Sequence, residues 1–211
     1  MVIVTKIVKK SREKDVFEVT LDNGYTFQVF DEFIILYHIA VNAKFDDEII
    51  KEVKHKSDQK IAQNVALKTL ARGIKTKKEL ENKLKQKNIE QDVIQNVVLK
   101  MLEYGYINDE LYAKQYIGIN KSNKGKRRII QELEQKGVQR DIIENLLEEQ
   151  SDEDWIIAIK NIAEKYMKNK DLSYKNKTKL YNHLLSKGFD YGQISKIMLQ
   201  FNWESDSNYE P

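Results

Sequence analysis

The residues of this chain best suited to chemistry are cations, and the chemistry they offer is the capture of anions. Lys121, Lys124, Lys126, Arg127 and Arg128 crowd into one short stretch. Lys75, Lys77 and Lys78 form a similar group upstream, and Lys168, Lys170, Lys175, Lys177 and Lys179 form one downstream. Each group lies at the loop before a helix-forming segment or in that helix's first turn. Basic residues there oppose the helix dipole, so fold stability does not ask for them. They suit an anionic partner, because exposed helix N–H groups and lysine ammoniums attract the same negative charge. A plain solvated, lysine-rich surface is the competing reading. The spacing leaves open whether the partner is a nucleic-acid backbone or an acidic protein groove.

Other chemistries find little support. The chain has no cysteine, which removes thiol nucleophiles, disulfides and thiolate metal sites. His38, His55 and His183 have no metal-ligand spacing and read as structural or surface groups. No P-loop, GxGxxG or GxSxG occurs. Tyr104, Tyr106, Tyr112 and Tyr116 are spaced as on a helix, which favours core packing over base stacking. The reading is a non-enzyme with no catalytic residues, no metal and no cofactor. With no apolar run near the roughly 20 residues of a membrane span and no signal-peptide pattern, a cytoplasmic protein is expected.

The elements that must position the cations form a repeat. Leu80, Lys83, Leu84, Lys87, Asn88 and Ile89 correspond to Ile129, Glu132, Leu133, Lys136, Gly137 and Val138, and again to Leu180, His183, Leu184, Lys187, Gly188 and Phe189. A period of about 50 residues fits three helices per unit. Asn88, Gly137 and Gly188 stand where a helix ends in left-handed geometry, followed each time by an apolar residue as in a Schellman cap. The helices expected are 59–72, from Lys77 to about Asn88 behind a Thr76/Glu79 capping box, and 91–103 in repeat 1. Ile61, Val65, Leu67 and Leu70 would point inward from the first of these. In repeat 2 the expected helices are one carrying Leu111, Tyr112, Tyr116 and Ile119, then 126–136 and 141–149. In repeat 3 they are 155–167 behind Ser151, 175–186 and 191–201, with a long polar loop at 168–174.

Residues before the repeats differ in kind. Val2 to Val8 is β-branched, and Phe17/Val19/Leu21 and Tyr25/Phe27/Val29 alternate around Asp22-Asn23-Gly24, a strong hairpin signal. A three-stranded antiparallel sheet is expected, packed on a helix from Glu32 to Val41 capped by Asp31, with a second helix at 46–55. Such a module can be a nucleic-acid reader or a cap for the array's open end, and with no aromatic-basic face evident the cap is the favoured reading. The fold class is mainly α, an elongated curved array of three tandem three-helix repeats behind a small N-terminal β module. Its boundaries fall at 1–57, 58–107, 108–150 and 151–203, with a frayed tail at 204–211.

Gly105-Tyr106-Ile107-Asn108-Asp109, with Leu111-Tyr112-Ala113 and Tyr116, resembles the junction signature of the RecX family, regulators of the bacterial recombinase RecA. The run Lys124-Gly125 to Ile129, then Glu132-Leu133 and Lys136-Gly137-Val138, is similar to that family's second motif. The resemblance covers nearly the whole chain. It implies a monomeric, non-enzymatic modulator, inhibitory in sense, that lies in the groove of the RecA filament. There it would limit filament growth, ATP hydrolysis, strand exchange and coprotease action, and so act in recombination and repair. Single-stranded DNA would be met directly or through the filament. Lys77, Lys78, Lys121, Lys124, Lys126, Arg127 and Arg128 are the candidate contacts. Direct nucleic-acid binding, or a scaffold for an acidic protein, are the alternatives.

Overall fold

The computed structural model describes residues 1–10 and 15–204 and separates into two compact units, Met1–Asn108 and Asp109–Pro211. The tail expected at 204–211 lies, beyond Glu204, outside the described residues. Among the described residues no helix is long and apolar enough to cross a membrane.

In the first unit β1 (Val2–Lys9), β2 (Val16–Leu21) and β3 (Thr26–Phe30) form the expected antiparallel meander. The turn at Asp22–Gly24 closes as its sequence predicts, with Gly24 at φ +81°. A fourth strand, β4 (Lys44–Phe45), adds to the far edge, giving the order β3-β2-β1-β4. It exists because α1 (Asp31–Leu36) stops well short of Val41. His38 and Asn42 take left-handed φ values of 51° and 69°, turning the chain back so that Asn42 N–H donates to the Val4 carbonyl at 2.8 Å. Asp31 is the first helical residue rather than the cap, and its carboxylate accepts from Glu32 N–H at 2.7 Å.

The two helices expected at 46–55 and 59–72 are one, α2 (Asp47–Leu70), so the boundary expected at residue 57 falls inside a continuous helix. Lys56-Ser57-Asp58 reads as a polar break, yet it contains neither glycine nor proline, and the polar atoms of Ser57 and Asp58 are satisfied in the interior. Ser57 is fully buried and its Oγ accepts from Phe30 N–H at 3.3 Å. Asp58, also buried, pairs with Lys54 at 2.8 Å and accepts from Glu90 N–H at 3.3 Å. Ile50 and Val53 of α2 pack under the sheet. Ile61, Ala62 and Ala66 pack against α3 (Lys77–Lys85) and α4 (Gln91–Glu103). Leu67, expected inward, is exposed.

The second unit holds α5 (Asp109–Asn120), α6 (Lys126–Gln135) and α7 (Arg140–Glu148) around one core, and α8 (Asp152–Met167), α9 (Tyr174–Ser186) and α10 (Tyr191–Met198) around another. Trp155 of α8 is fully buried in the core of α5–α7, so consecutive repeats share a side chain. The three predicted helix ends are left-handed, at φ 58° for Asn88, 88° for Gly137 and 89° for Gly188. Val138 N–H bonds Leu133 O at 3.1 Å and Phe189 N–H bonds Leu184 O at 3.3 Å, completing Schellman geometry in both.

Gly188 does a second job. Gly125 N–H donates to Lys187 O at 2.8 Å, and Arg127 N–H donates to Gly188 O at 3.2 Å. A Cβ on Gly125 would lie 2.3 Å from Gly188 O, and one on Gly188 would lie 2.4 Å from Arg128 N. The α9 C-terminus is thus seated on the α6 N-terminus through backbone alone. Gly125→Ala should lower stability by about 1–3 kcal/mol, the usual cost of overpacking where only backbone can yield. Gly118→Ala, on an exposed helix face with open space around it, should raise stability by about 0.5–1 kcal/mol. Urea midpoints moving in the same direction for both variants would contradict this account.

Candidate anion-binding interface at the repeat hinges

The hinge 121–128 is built differently from a loop of free cations. Lys121 Nζ reaches Asp154 at 2.7 Å, and Lys126 Nζ reaches Asp152 at 3.1 Å, both carboxylates in the acidic first turn of α8. Lys124 Nζ lies 2.6 Å from Glu132, and Arg128 Nε lies 2.8 Å from the other oxygen of the same carboxylate. The Tyr116 hydroxyl also donates to Glu132, and Lys124 sits 5.3 Å over the Tyr116 ring. Four of the five hinge cations therefore serve the fold, contrary to the expectation that stability would not ask for them. The partners were signalled by Asp152-Glu153-Asp154 behind the Ser151 cap and by the Arg128/Glu132 spacing of four.

The backbone donors differ from expectation as well. The N–H groups of Gly125 and Arg127 are spent on the α9 carbonyls. At α3 the Thr76/Glu79 capping box is present, with Thr76 Oγ1 accepting from Glu79 N–H at 3.1 Å and Glu79 accepting from Thr76 N–H at 3.2 Å. At each helix one first-turn N–H, that of Arg127 in α6 and of Glu79 in α3, is thus already taken.

What is left over is specific. Lys78 and Arg127 are exposed, and among the described residues neither side chain has an ion pair. Both stand two residues before the first buried residue of their helix, Leu80 and Ile129. The corresponding position before Leu180 is Thr178, flanked by Lys177 and Lys179. Lys77 is exposed too, but its side chain or backbone has a contact of its own.

The remaining candidates divide. Tyr112 and Tyr116 are half-buried and stacked at 6.2 Å, as core packing requires. Tyr104 and Tyr106 are 66% and 54% exposed, so for them the core assignment is corrected: they follow the last turn of α4 and border an open pocket with Gln63 and Leu67 of α2 and Lys100 and Met101 of α4. His55 approaches Glu90 at 3.6 Å and Asp92 at 3.8 Å. The Lys54 ammonium, 2.6 Å from Glu90, already pairs with that carboxylate. His183 stacks on Tyr166 at 4.5 Å, and burial holds its pKa below the ordinary histidine value.

Comparison with known proteins decides the family. The models for the first, second and third three-helix domains of RecX match residues 62–101, 108–147 and 152–198. The chain belongs to the RecX family. It is 34% identical to the regulatory protein RecX of Clostridium perfringens over 92% of this chain and 94% of that protein. It is 31% identical to that of Bacillus subtilis over 100% of this chain and 81% of that protein. The crystal structure of RecX from Lactobacillus salivarius superposes with a TM-score of 0.60 at 30% identity, covering 68% of this chain and 96% of that one. A further RecX crystal structure shares the fold at TM-score 0.61 and 22% identity, covering 93% of this chain and 98% of that one. The motif that resembles RecX, Lys124-Gly125 through Glu132, is thus the part of the chain in which cations and carboxylate are knitted together.

Glu132 has a measurable signature. Burial raises its pKa, but the hydrogen bonds from Lys124, Tyr116 and Arg128 outweigh that and hold it at about 2 against an ordinary 4.5. The folded value lies below the unfolded one, so the stabilisation is full above about pH 4.5 and disappears as pH falls towards 2. The gap corresponds to at most about 3 kcal/mol. Glu132→Gln should reduce stability at neutral pH and remove this part of the acid limb in urea titrations from pH 7 to 2. An unchanged acid limb in the variant would rule out Glu132 as its source.

Proposed function

We propose that this chain is a non-enzymatic regulator of the RecA recombinase that engages the RecA filament on single-stranded DNA and restrains it. Family membership supports the regulatory role, and the resemblance of the sequence supports RecA as the partner and the filament groove as the place. The observation that carries the residue assignment is the pair of surplus cations at matching helix positions, Lys78 in repeat 1 and Arg127 in repeat 2. A cation already bound at 2.6 to 2.8 Å must exchange one carboxylate for another anion and gains only the difference. Arg127 and Lys78 have no such partner to lose. Arg127 adds a planar fork that matches phosphate or carboxylate geometry.

The test is the ATPase rate of RecA on single-stranded DNA as this protein is titrated in, with a recombinase from the same source. Loss of ATPase at well under one molecule per recombinase is the expected outcome. Lys78→Ala with Arg127→Ala should raise the half-effect concentration roughly tenfold, equivalent to about 1.4 kcal/mol, with unchanged helical circular dichroism. Lys124→Ala should instead lower stability, because it strips a donor from the half-buried Glu132. A double variant as potent as the parent would remove Lys78 and Arg127 from the interface. No effect of the parent at any ratio would overturn the recombinase reading itself.

A further inference from the structure

His55 has no metal-ligand spacing in the sequence, yet the fold hands it two carboxylates from the start of another helix. Its Nδ1 lies 3.6 Å from Glu90 Oε2, at the N-cap of α4, and 3.8 Å from Asp92 Oδ2 in the first turn. The ligand atoms of the three residues all fall within 4.8 Å of one another. The side chains are 38%, 43% and 62% exposed, so an ion can enter from solvent.

Hydrogen bonding does not explain the spacing. A charged N–H···O bond closes to about 2.7–2.9 Å, as Lys54 does on Glu90 Oε1 at 2.6 Å and on Asp58 at 2.8 Å. The His55 contacts are too long for that. They lie nearer the edge of a ligand tetrahedron, because two groups each about 2.0–2.1 Å from one zinc ion stand roughly 3.3–3.4 Å apart. The positive start of α4 accounts for acidic residues at 90 and 92. It does not account for an imidazole on α2 within reach of both. Positive charge is also short here, with the one Lys54 ammonium set against the carboxylates of Asp58, Glu90 and Asp92.

The surrounding groups orient the three as metal ligands are oriented. Glu90 gives Oε1 to Lys54 and turns Oε2 towards His55, so the carboxylate is fixed through one oxygen and offered through the other. The Lys54 hydrogen bond also holds the Glu90 carboxyl below its ordinary pKa, in the ionised form a metal needs. On the far side of the ring, Gln59 Nε2 lies 2.9 Å from His55 Nε2. With its amide turned over, Gln59 accepts from Nε2–H and leaves the Nδ1 lone pair facing the carboxylates.

We infer that His55, Glu90 and Asp92 bind one zinc ion, with water completing its coordination. One imidazole nitrogen with two carboxylate oxygens suits zinc, whereas magnesium and calcium take oxygen ligands. The nearby Lys54 ammonium repels the ion, so the site exchanges its metal rather than holding it permanently. An ion there ties the middle of α2 to the first turn of α4 and so braces the first unit. The site uses none of the groups assigned to the RecA filament and stands apart from that reading.

The test titrates zinc chloride calorimetrically into the full-length chain, stripped of metal by chelator and free of any histidine tag, without RecA or DNA. Binding of one ion per chain is expected, with a rise in Tm. His55→Gln and Asp92→Asn should each weaken binding by at least about tenfold, with circular dichroism unchanged. Glu90 stays in place, because its loss would also unpair Lys54. Co2+ in the same site should show the visible absorption of a tetrahedral ion, lost in His55→Gln, and a large excess of Mg2+ should not displace zinc. Failure of the parent to bind zinc, or equal affinity in the parent and both variants, would overturn the site. Displacement by Mg2+ as readily as by zinc would reduce it to a general acidic patch and overturn the assignment as well.

Discussion

The junction between the second and third repeats rests on a place where two backbones touch with no side chain between them. Gly188 must be left-handed to end α9, and it must also lack a Cβ because Arg128 N would lie 2.4 Å away. Gly125 has an ordinary φ of −81°, so its requirement for glycine is wholly one of approach. The contact lets the last carbonyls of α9 satisfy the first N–H groups of α6, answering the orphan groups of two helices at once. Negative and positive helix ends also meet there, which adds a favourable dipole term. The Lys124-Gly125-Lys126 sequence looks like a flexible basic hinge. In the fold it is a fixed joint, and the cations beside it inherit that fixity.

Fixity explains the electrostatics. Lys121 and Lys126 are held by Asp154 and Asp152, and Lys124 and Arg128 by Glu132, so local positive charge is largely cancelled. The Glu132 cluster is the strongest of these, because its carboxylate is 16% exposed and hydrogen-bonded from three side chains. The pairs to α8 are more open, with side chains about a third to nine-tenths exposed, and each adds only a few tenths of a kcal/mol. A glance at the sequence counts five positive charges in this stretch, whereas the assembled hinge presents one without a counter-charge, Arg127.

Local rules made some of this legible and long-range ones hid the rest. Asn88, Gly137 and Gly188 were readable because a helix end needs left-handed geometry whatever surrounds it, and the three copies confirmed one another. The capping box at Thr76 and Glu79 was readable for the same reason. The continuity of α2 was not, since it depends on Ser57 bonding Phe30 and Asp58 bonding Glu90, partners 27 and 32 residues away. β4 was hidden for a like reason: a two-residue strand is defined by the edge it joins, not by its own pattern. In α5 the residues facing inward are Ala113 and Ile117, while Leu111 and Ile119 lie outward, a choice set by the neighbours of α5 rather than by its own pattern. The cleft of α2 and α3, lined by Lys68, Arg72 and Lys83, escaped because its cations come from segments that look unremarkable one at a time.

The two sets of cations differ in what binding must undo. At the hinge, anything anionic competes with carboxylates already in place, so lysines there contribute position more than affinity. At the cleft of α2 and α3, among the described residues, Lys68, Arg72 and Lys83 have no ion pair, and Asp15 is the one carboxylate in its lining. Counterion release makes contacts of the second kind steeply salt-dependent. Exchange of one carboxylate for another anion releases fewer ions and depends on salt more weakly. In a chain of +3 net charge, carboxylates gathered at the hinge leave the cations away from it with fewer counter-charges. The pairing of Glu132, Asp152 and Asp154 does that sequestering, and it makes the placement of the acidic residues as much a determinant of binding as that of the basic ones.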